Sequence, residues 1–365
     1  MNKRIIGFDL ARAYAIFGMY IVNFTFCFGS FADKSTMGMF NNLFIGNSTS
    51  IFVICAGMGV ILLTNKENAS DTDKKRIKDI IIKRSWFLFA MGVALYSWWP
   101  GDILHFYGGY MHIAAFILFI PRRNYLLVAV LAVLVYYILQ FFIPITTSWD
   151  LQTTRYLDFW TPVGFLRNTL YNGWNSIFPW FAYFAIGMYL AKIDWHDIRI
   201  QRKMFLTGSL MLLVFKSLRL FIRADFDNPE RQAFYRKYWL HLMEDYFPVN
   251  IPYLMITIGW AFTVISICMY IGNRFSNSNM LHLLAKVGQM TLSFYVFHIT
   301  VGMLLFGLLF DRSYSGFLTT ETAIQPAYIL AFAGIFFALS LFLAWLWSKK
   351  FQKGPLELLM RKISG

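Results

Sequence analysis

The chain has 365 residues, of which 58% are hydrophobic and only 14% are charged. Soluble domains carry about 25% charged residues, so this composition excludes a water-soluble globule and predicts an all-α, polytopic integral membrane protein. The net charge of +14 does not indicate nucleic-acid binding, because excess Lys and Arg is typical of membrane-protein loops that face the cytoplasm and its anionic lipids.

Apolar runs long enough to form membrane helices recur along the whole sequence, and we predict about ten spans. In chain order they are Ala11–Phe28, Ser50–Thr64, Ile80–Trp98, Asp102–Ile120, Tyr125–Ile145, Trp174–Ala191, Lys203–Ile222, Ile251–Ile271, Val287–Phe310 and Ala327–Trp347. The first run is followed by no small-residue cleavage site, so it is predicted to be a retained span and not a signal peptide.

The distribution of basic residues predicts the orientation of these spans. If the N-terminus is cytoplasmic, about two thirds of the 33 Lys and Arg residues fall on the cytoplasmic side, as the positive-inside rule requires. We therefore predict one transmembrane domain, residues 1–365, in the cytoplasmic (inner) membrane, with both ends in the cytoplasm. The sequence does not define an oligomeric state.

Charged residues within the first span are informative, because a charge in the bilayer is costly. Asp9 and Arg12 are three residues apart, a spacing that places them on one helix face where they can pair. The pair is either structural or part of a site that binds the phosphates of a donor. Asn23 lies about 16 Å further along the same helix.

Three of the histidines fall within predicted spans. Asp102 and His105 are again three residues apart, near the external end of the fourth span, and His112 lies deeper on the same face. His298 lies near the middle of the ninth span. Each histidine is either a satisfied core residue or a general base, and a carboxylate beside an imidazole favours the base at His105.

Two long external loops, residues 146–173 and 223–250, mix aromatic and charged residues. Such a composition is typical of interfacial aromatic side chains with solvated charges. It also suits a surface that holds a polar, sugar-like acceptor, since aromatic rings stack on sugar faces while polar groups bind hydroxyls. The three cysteines, Cys27, Cys55 and Cys268, lie in apolar runs and predict neither a disulfide framework nor a metal site.

Several stretches, in order along nearly the whole chain, carry a resemblance to known families. The opening, residues 4–23, resembles the YeiB-like and heparan-α-glucosaminide N-acetyltransferase-like membrane proteins, in which D-x-x-R is followed by an Asn eleven residues after the Arg. Later stretches resemble the YeiB-like group: GDIL at Gly101, PWFAYFAIGM at Pro179, GQMTLSFYVFH at Gly288 and GPLELLMR at Gly354.

The resemblance implies a transmembrane acyltransferase that takes an acyl group from a cytoplasmic donor such as acetyl-CoA and passes it to an acceptor on the far side. Two positions depart from the pattern. Ala13 replaces the usual Gly, and the loop at residues 24–47 contains no His, where the glucosaminide group carries its catalytic His. A base must therefore come from elsewhere.

We accordingly predict a membrane acyltransferase that acts on an envelope glycan or a lipid-linked acceptor. His298, His105 and Asp102 are the candidate catalytic residues, with His298 slightly preferred, and Asp9, Arg12 and Asn23 are predicted to bind the donor or support the fold. Acetyl-CoA is the expected donor, and neither a metal nor nucleic acid is expected. The alternatives are a transporter or flippase without covalent chemistry, and a structural or regulatory membrane partner.

Overall fold

The computed structural model describes residues 5–63, 70–226, 228–242, 246–313 and 322–365, with only the backbone of residues 236–242. The described chain is mostly helical, and its strands are one short antiparallel pair, β1 (Trp149–Asp150) and β2 (Arg155–Tyr156). The α-helices are α1 (Ile6–Phe28), α2 (Thr36–Asn42), α3 (Asn47–Leu63), α4 (Asp71–Tyr96), α5 (Leu104–Ile117), α6 (Asn124–Phe142), α7 (Pro162–Arg167), α8 (Ile177–Leu190), α9 (Ile198–Asp225), α10 (Pro229–Leu242), α11 (Ile251–Arg274), α12 (Asn279–Gln289), α13 (Thr291–Phe297), α14 (Met303–Phe310), α15 (Pro326–Ser348) and α16 (Pro355–Ser364).

Seven helical segments within the described residues are long and apolar enough to cross a membrane. They are Ile6–Phe28, Thr36–Leu63, Asn124–Phe142, Ile198–Asp225, Ile251–Arg274, Thr291–Phe310 and Pro326–Ser348. These seven segments confirm the prediction of a helical, multi-pass membrane protein. Helices α6 and α9 bury only 22% and 11% of their most apolar windows, so both present long apolar faces to the surroundings, as peripheral helices of a membrane bundle do.

The other three predicted spans coincide with helices that fall short of the same criterion. Helix α4 has 26 residues, but its first turns are strongly charged. Helices α5 and α8 have 14 residues each, which corresponds to about 21 Å, less than the roughly 30 Å of a hydrocarbon core. The count of ten spans and the cytoplasmic placement of both ends therefore stay predictions.

Helix α1 occupies the centre of the bundle and packs against α3, α11, α12 and α15. Its contact with α12 depends on Gly288, where a Cβ would collide with the backbone oxygen of Asp9. The main core of buried apolar side chains surrounds α1 and extends in sequence from Phe8 to Ala344. Because α1 carries Asp9, Arg12 and Asn23, this central position brings all three among the other helices.

The ninth predicted span is not one continuous helix. Helix α12 ends at Gln289, α13 begins at Thr291, and a π-helical turn, π2 (His298–Gly302), separates α13 from α14. The predicted span Val287–Phe310 was therefore wrong at its start, since its first residues belong to a separate amphipathic helix. A second π-helical turn, π1 (Asn168–Asn172), follows α7.

Candidate active site

Asp102 and His105 form a fully buried pair at the start of α5. One carboxylate oxygen, Oδ2, lies 3.1 Å from both the ring Nδ1 and the backbone N of His105. Asp102 precedes the helix instead of lying within it, because α5 begins at Leu104. Since the carboxylate accepts from Nδ1–H, the proton of a neutral ring sits on Nδ1 and Nε2 carries the lone pair. Nε2 has no hydrogen-bond partner among the described residues.

The pair is held close to α4 by a glycine. A Cβ at Gly92 would collide with the backbone N of His105 and with the Asp102 carboxylate. The absence of a side chain at Gly92 therefore allows the turn that carries Asp102 to lie against α4. The site is consequently part of the hairpin in which α4 and α5 pack against each other.

His298 is the first residue of π2 and is fully buried. Its Nδ1 lies 3.2 Å from the carbonyl oxygen of Phe294, and its Nε2 lies 2.9 Å from Nδ2 of Asn23. Both distances are satisfied if Nδ1–H donates to the carbonyl and Nε2 accepts from the Asn23 amide. Single π-helical turns occur frequently at functional sites, and this one fixes the ring against the centre of α1.

Tyr295 joins the two candidate histidine sites. Its hydroxyl donates to Oδ1 of Asp102 at 3.3 Å and accepts from the backbone N of Ile103 at 3.2 Å. Its ring lies 5.3 Å from that of His298, one helical turn away on the same face. The half-buried Asn23 and the buried His298, Tyr295, Asp102 and His105 thus form a single connected group, which we call the histidine cluster.

Asp9 and Arg12 pair at 3.3 Å, as their spacing predicts. Arg12 also donates to the carbonyl oxygen of Cys55 at 3.1 Å, and Gln289 donates to Oδ2 of Asp9 at 3.1 Å. Along α1, at 1.5 Å per residue, Arg12 is roughly 16 Å and Asp9 roughly 21 Å from Asn23. The structure therefore places Asp9 and Arg12 near one end of α1, apart from the histidine cluster.

Aromatic side chains from both long loops cover His105. The cover combines Tyr96, at the end of α4, with the loop residues Trp149, Tyr156 and Phe159, and Phe165, Trp174 and Phe247 pack against them. Phe159 stacks on Tyr96 at 3.4 Å and lies edge-on to the His105 ring at 5.8 Å. Phe247, from the second loop, contacts Trp149 at 5.3 Å. The two loops that the sequence predicts to be external therefore meet on the same side of the molecule.

An ion pair fixes the first of these loops. Arg167 donates to Oδ2 of Asp158 at 2.5 Å, to the hydroxyl of Tyr156 at 2.9 Å and to Oγ of Ser148 at 2.6 Å. Partial burial acts to raise the pKa of Asp158, but the hydrogen bond and charge of Arg167 outweigh it and hold that pKa below its usual value. The carboxylate therefore stays ionised and keeps the aromatic cover in place.

Glu357, in the closing GPLE stretch, caps the helix that carries Tyr295 and His298. Its Oε1 accepts from the backbone N of Leu292 at 2.8 Å and of Ser293 at 3.2 Å, and its Oε2 accepts from Oγ of Ser293 at 2.5 Å. A carboxylate at a helix N-terminus satisfies otherwise orphaned N–H groups and interacts favourably with the helix dipole. Sequence reasoning singled out this stretch only as a family motif and missed the contact.

Comparison with known protein families shows to which family the chain belongs. Residues 4–221 match the family model described as heparan-alpha-glucosaminide N-acetyltransferase, catalytic. The chain belongs to this family. Residues 235–365 match a second model, a family of unknown function named DUF418, which corresponds to the YeiB-like group. The resemblance predicted from the sequence is therefore confirmed. No curated protein matches the chain.

The two matches divide the histidine cluster between them. The acetyltransferase match contains Asn23, Asp102 and His105, whereas the second match contains Tyr295 and His298. In the part of the chain that the structure describes, no group of three or more His, Cys, Asp or Glu side chains could hold a metal ion.

Proposed function

We propose that this family member is a membrane-embedded acetyltransferase of the inner membrane. It moves the acetyl group of cytoplasmic acetyl-CoA to a hydroxyl or amine of an extracytoplasmic glycan or lipid-linked acceptor. The observation that carries the proposal is the buried Asp102–His105 pair, whose Nε2 has no hydrogen-bond partner within the described chain. Membership of the acetyltransferase family supports the reaction class.

The Asp102–His105 pair supplies general-base chemistry. Nε2 of His105 takes the proton from the acceptor hydroxyl or amine as that atom attacks the acetyl carbonyl carbon, and it then returns the proton to the departing sulfur. Asp102 keeps the ring in the tautomer with its proton on Nδ1 and stabilises the positive charge that develops on the ring. The hydroxyl of Tyr295 holds the second carboxylate oxygen.

The geometry favours His105 over His298 as the base, which reverses the slight preference from the sequence. Both ring nitrogens of His298 are hydrogen-bonded, one to Phe294 and one to Asn23. A base needs an available lone pair within reach of the acceptor proton, which His105 offers. We assign His298 and Asn23 to positioning the helix turn and the Tyr295 hydroxyl.

The aromatic cover suits the acceptor. Rings such as Trp149 and Phe159 have flat apolar faces of the kind on which sugar rings stack, and they come from the loop predicted to be external. An acceptor that displaces Phe159 from the ring of Tyr96 would gain access to Nε2 of His105. Asp9 and Arg12, far along α1, are assigned to the donor end.

The polar residues favour this proposal over a transporter. A transport path needs polar side chains that line a route across the membrane, whereas the buried carboxylates Asp9 and Asp102 are each paired with a basic side chain of the protein itself. The transporter alternative gains if the chemistry fails in the following experiment.

The test is acetyl transfer from labelled acetyl-CoA to a native envelope fraction, with His105→Ala compared with His112→Ala. His112 lies on the same helix and hydrogen-bonds to Ser85 at 3.3 Å, outside the histidine cluster, so it is a matched control. Loss of a general base lowers rates about 10²- to 10⁴-fold, and we expect that loss for His105→Ala alone. Full transfer by His105→Ala would refute the assignment.

A further inference from the structure

An apolar groove lies between the helix that carries His298 and the C-terminal half of α15. It has a volume of about 810 Å³, within the range of roughly 300 to 1,000 Å³ that ligand sites show. One wall is formed by Phe294, Val296 and Phe297, and the facing wall by Leu343 and Leu346. No part of the proposed acetyl transfer uses this groove.

The lining of the groove suits a hydrocarbon chain better than a polar one. Its polar side chains include Ser293 and Thr300. Ser293 donates to Glu357 at 2.5 Å, and Thr300 donates to the carbonyl oxygen of Val296 at 2.7 Å. Since both hydroxyl protons are already used within the protein, the amide groups of a pantetheine arm would be buried there with few partners, which is unfavourable.

Two adjacent lysines stand at one end of the groove. Lys349 and Lys350 directly follow the last turn of α15, are exposed, and belong to the lining. Nζ of Lys349 lies 3.6 Å from the centre of the Trp345 ring. A Trp beside Lys at the end of an apolar helix is the arrangement found at the level of lipid headgroups, where basic side chains attract anionic lipids.

We propose that this groove is a binding site for an anionic phospholipid. One acyl chain lies between Phe297 and Leu343, and the headgroup phosphate lies at Lys349 and Lys350. The charge complementarity selects an anionic lipid over a zwitterionic one, and the continuous apolar lining selects a lipid over a soluble phosphate compound.

Photo-crosslinking of the full-length purified protein in non-ionic detergent tests the proposal. The probe is phosphatidylglycerol with a diazirine in one acyl chain, compared with phosphatidylcholine that carries the same chain. We expect labelled peptides from 290–300 and 343–351, at least about fivefold more abundant with phosphatidylglycerol. Equal labelling by the two lipids, or labelling confined to other helices, would overturn the proposal.

Two pairs of variants separate the chain site from the headgroup site. Leu343→Trp fills the groove and abolishes labelling, whereas Leu339→Trp, one turn earlier on α15 and outside the lining, leaves it unchanged. Lys349→Glu with Lys350→Glu lowers phosphatidylglycerol labelling to the phosphatidylcholine level. The matched control changes Lys75 and Arg76, two adjacent exposed cations on α4, to Glu and has no effect.

A competition arm distinguishes the lipid from a nucleotide donor. Excess unlabelled phosphatidylglycerol should displace the probe, and an equal concentration of CoA should not. Displacement by CoA alone would mean that the groove serves a donor and that the lipid proposal is wrong. If labelling is unchanged when Lys349 and Lys350 are both replaced by Glu, the two lysines do not bind the headgroup, and this result would also contradict the proposal.

Discussion

Replacing Glu357 tests whether the C-terminal tail positions the histidine cluster. Glu357→Ala removes the acceptor for the amides of Leu292 and Ser293 and for the Ser293 hydroxyl. An orphaned buried donor costs about 1–3 kcal/mol, so we expect a loss of roughly 2–4 kcal/mol in the stability of α13 at its N-terminus. Tyr295 and His298 lie within two turns of this N-terminus. The rate of acetyl transfer should therefore fall together with the stability of α13.

Comparison with Glu357→Gln separates the loss of the hydrogen-bond acceptor from the loss of the charge. The Gln carbonyl oxygen still accepts from the two amides, so we expect Glu357→Gln to keep most of the stability that Glu357→Ala loses. Asp79→Asn, at an exposed carboxylate on α4, is the matched control. Thermal unfolding in detergent and transfer rates are measured for all three variants. Equal stability and activity of Glu357→Ala and the parent would refute the positioning role.

Ionisation of Glu357 should also make the stability of the protein depend on pH. Burial raises the pKa of Glu357 above its ordinary value, and its hydrogen-bond donors offset only part of that effect. The folded protein therefore holds the proton more tightly than the unfolded chain does. The protonated form contributes its full stability below the unfolded pKa of about 4.3, and that contribution is lost as pH rises through the raised folded pKa.

Glu357→Gln cannot ionise, so this loss should be absent from the variant. The stability difference between parent and Glu357→Gln should therefore shift in favour of Gln as pH rises above about 4.3. Melting temperatures of both proteins across that window provide the measurement. A difference that stays constant with pH, or that shifts in favour of the parent, would show that the carboxyl does not titrate as described.

Three further predictions follow from the charge pair, the loop orientation and the link between histidines. Arg12→Ala removes the ion pair with Asp9 and the hydrogen bond to Cys55 and should destabilise the protein by about 1.5–3 kcal/mol. Arg223→Ala, at an exposed position, should change stability by at most about 0.5 kcal/mol, and equal melting temperatures of the two variants would contradict this. Reporter fusions after Lys353 should be cytoplasmic and those within 155–167 external, and a cytoplasmic signal from the latter would overturn the orientation. Tyr295→Phe should lower transfer by about tenfold, since a hydrogen bond to a charged group contributes about 1.5–3 kcal/mol, and an unchanged rate would remove Tyr295 from the mechanism.

Local spacing predicted the two short-range pairs in the structure. Asp9 with Arg12, and Asp102 with His105, are three residues apart, and one helical turn brings such neighbours together wherever it forms. The pairing of Asp102 survives even though the residue precedes α5, because its side chain accepts from the backbone N of His105.

Contacts between distant segments could not be predicted in this way. Asn23 and His298 were both candidates, but their hydrogen bond joins residues 275 positions apart, and helix packing decides such contacts. Tyr295 lies one turn before His298, so the sequence predicts that the two side chains share a helix face. The hydrogen bond from Tyr295 to Asp102 could not be predicted from the sequence. The same holds for Glu357, whose partners Leu292 and Ser293 are 65 and 64 residues away.

Span boundaries were predicted least well where helices are short or broken. Hydropathy averaged over a window detects an apolar run but not the interruption near Met290, because the polar residue Gln289 is outweighed by the apolar residues around it. Similarly, α5 and α8 each occupy only part of the predicted runs, since turns with buried hydrogen bonds precede both helices. The aromatic cover was predicted as a composition, and its position over His105 emerged only from the fold.

The central claim is that this protein transfers acetyl groups with a base from the histidine cluster. The most direct measurement is acetylated product formed by the purified protein in proteoliposomes, with labelled acetyl-CoA and an envelope-derived acceptor fraction, for the parent and for the double variant His105→Ala with His298→Ala. We predict product from the parent and a loss of at least about 10²-fold in the double variant, which still inserts and still binds donor. Full turnover by the double variant would contradict the mechanism and favour a transporter.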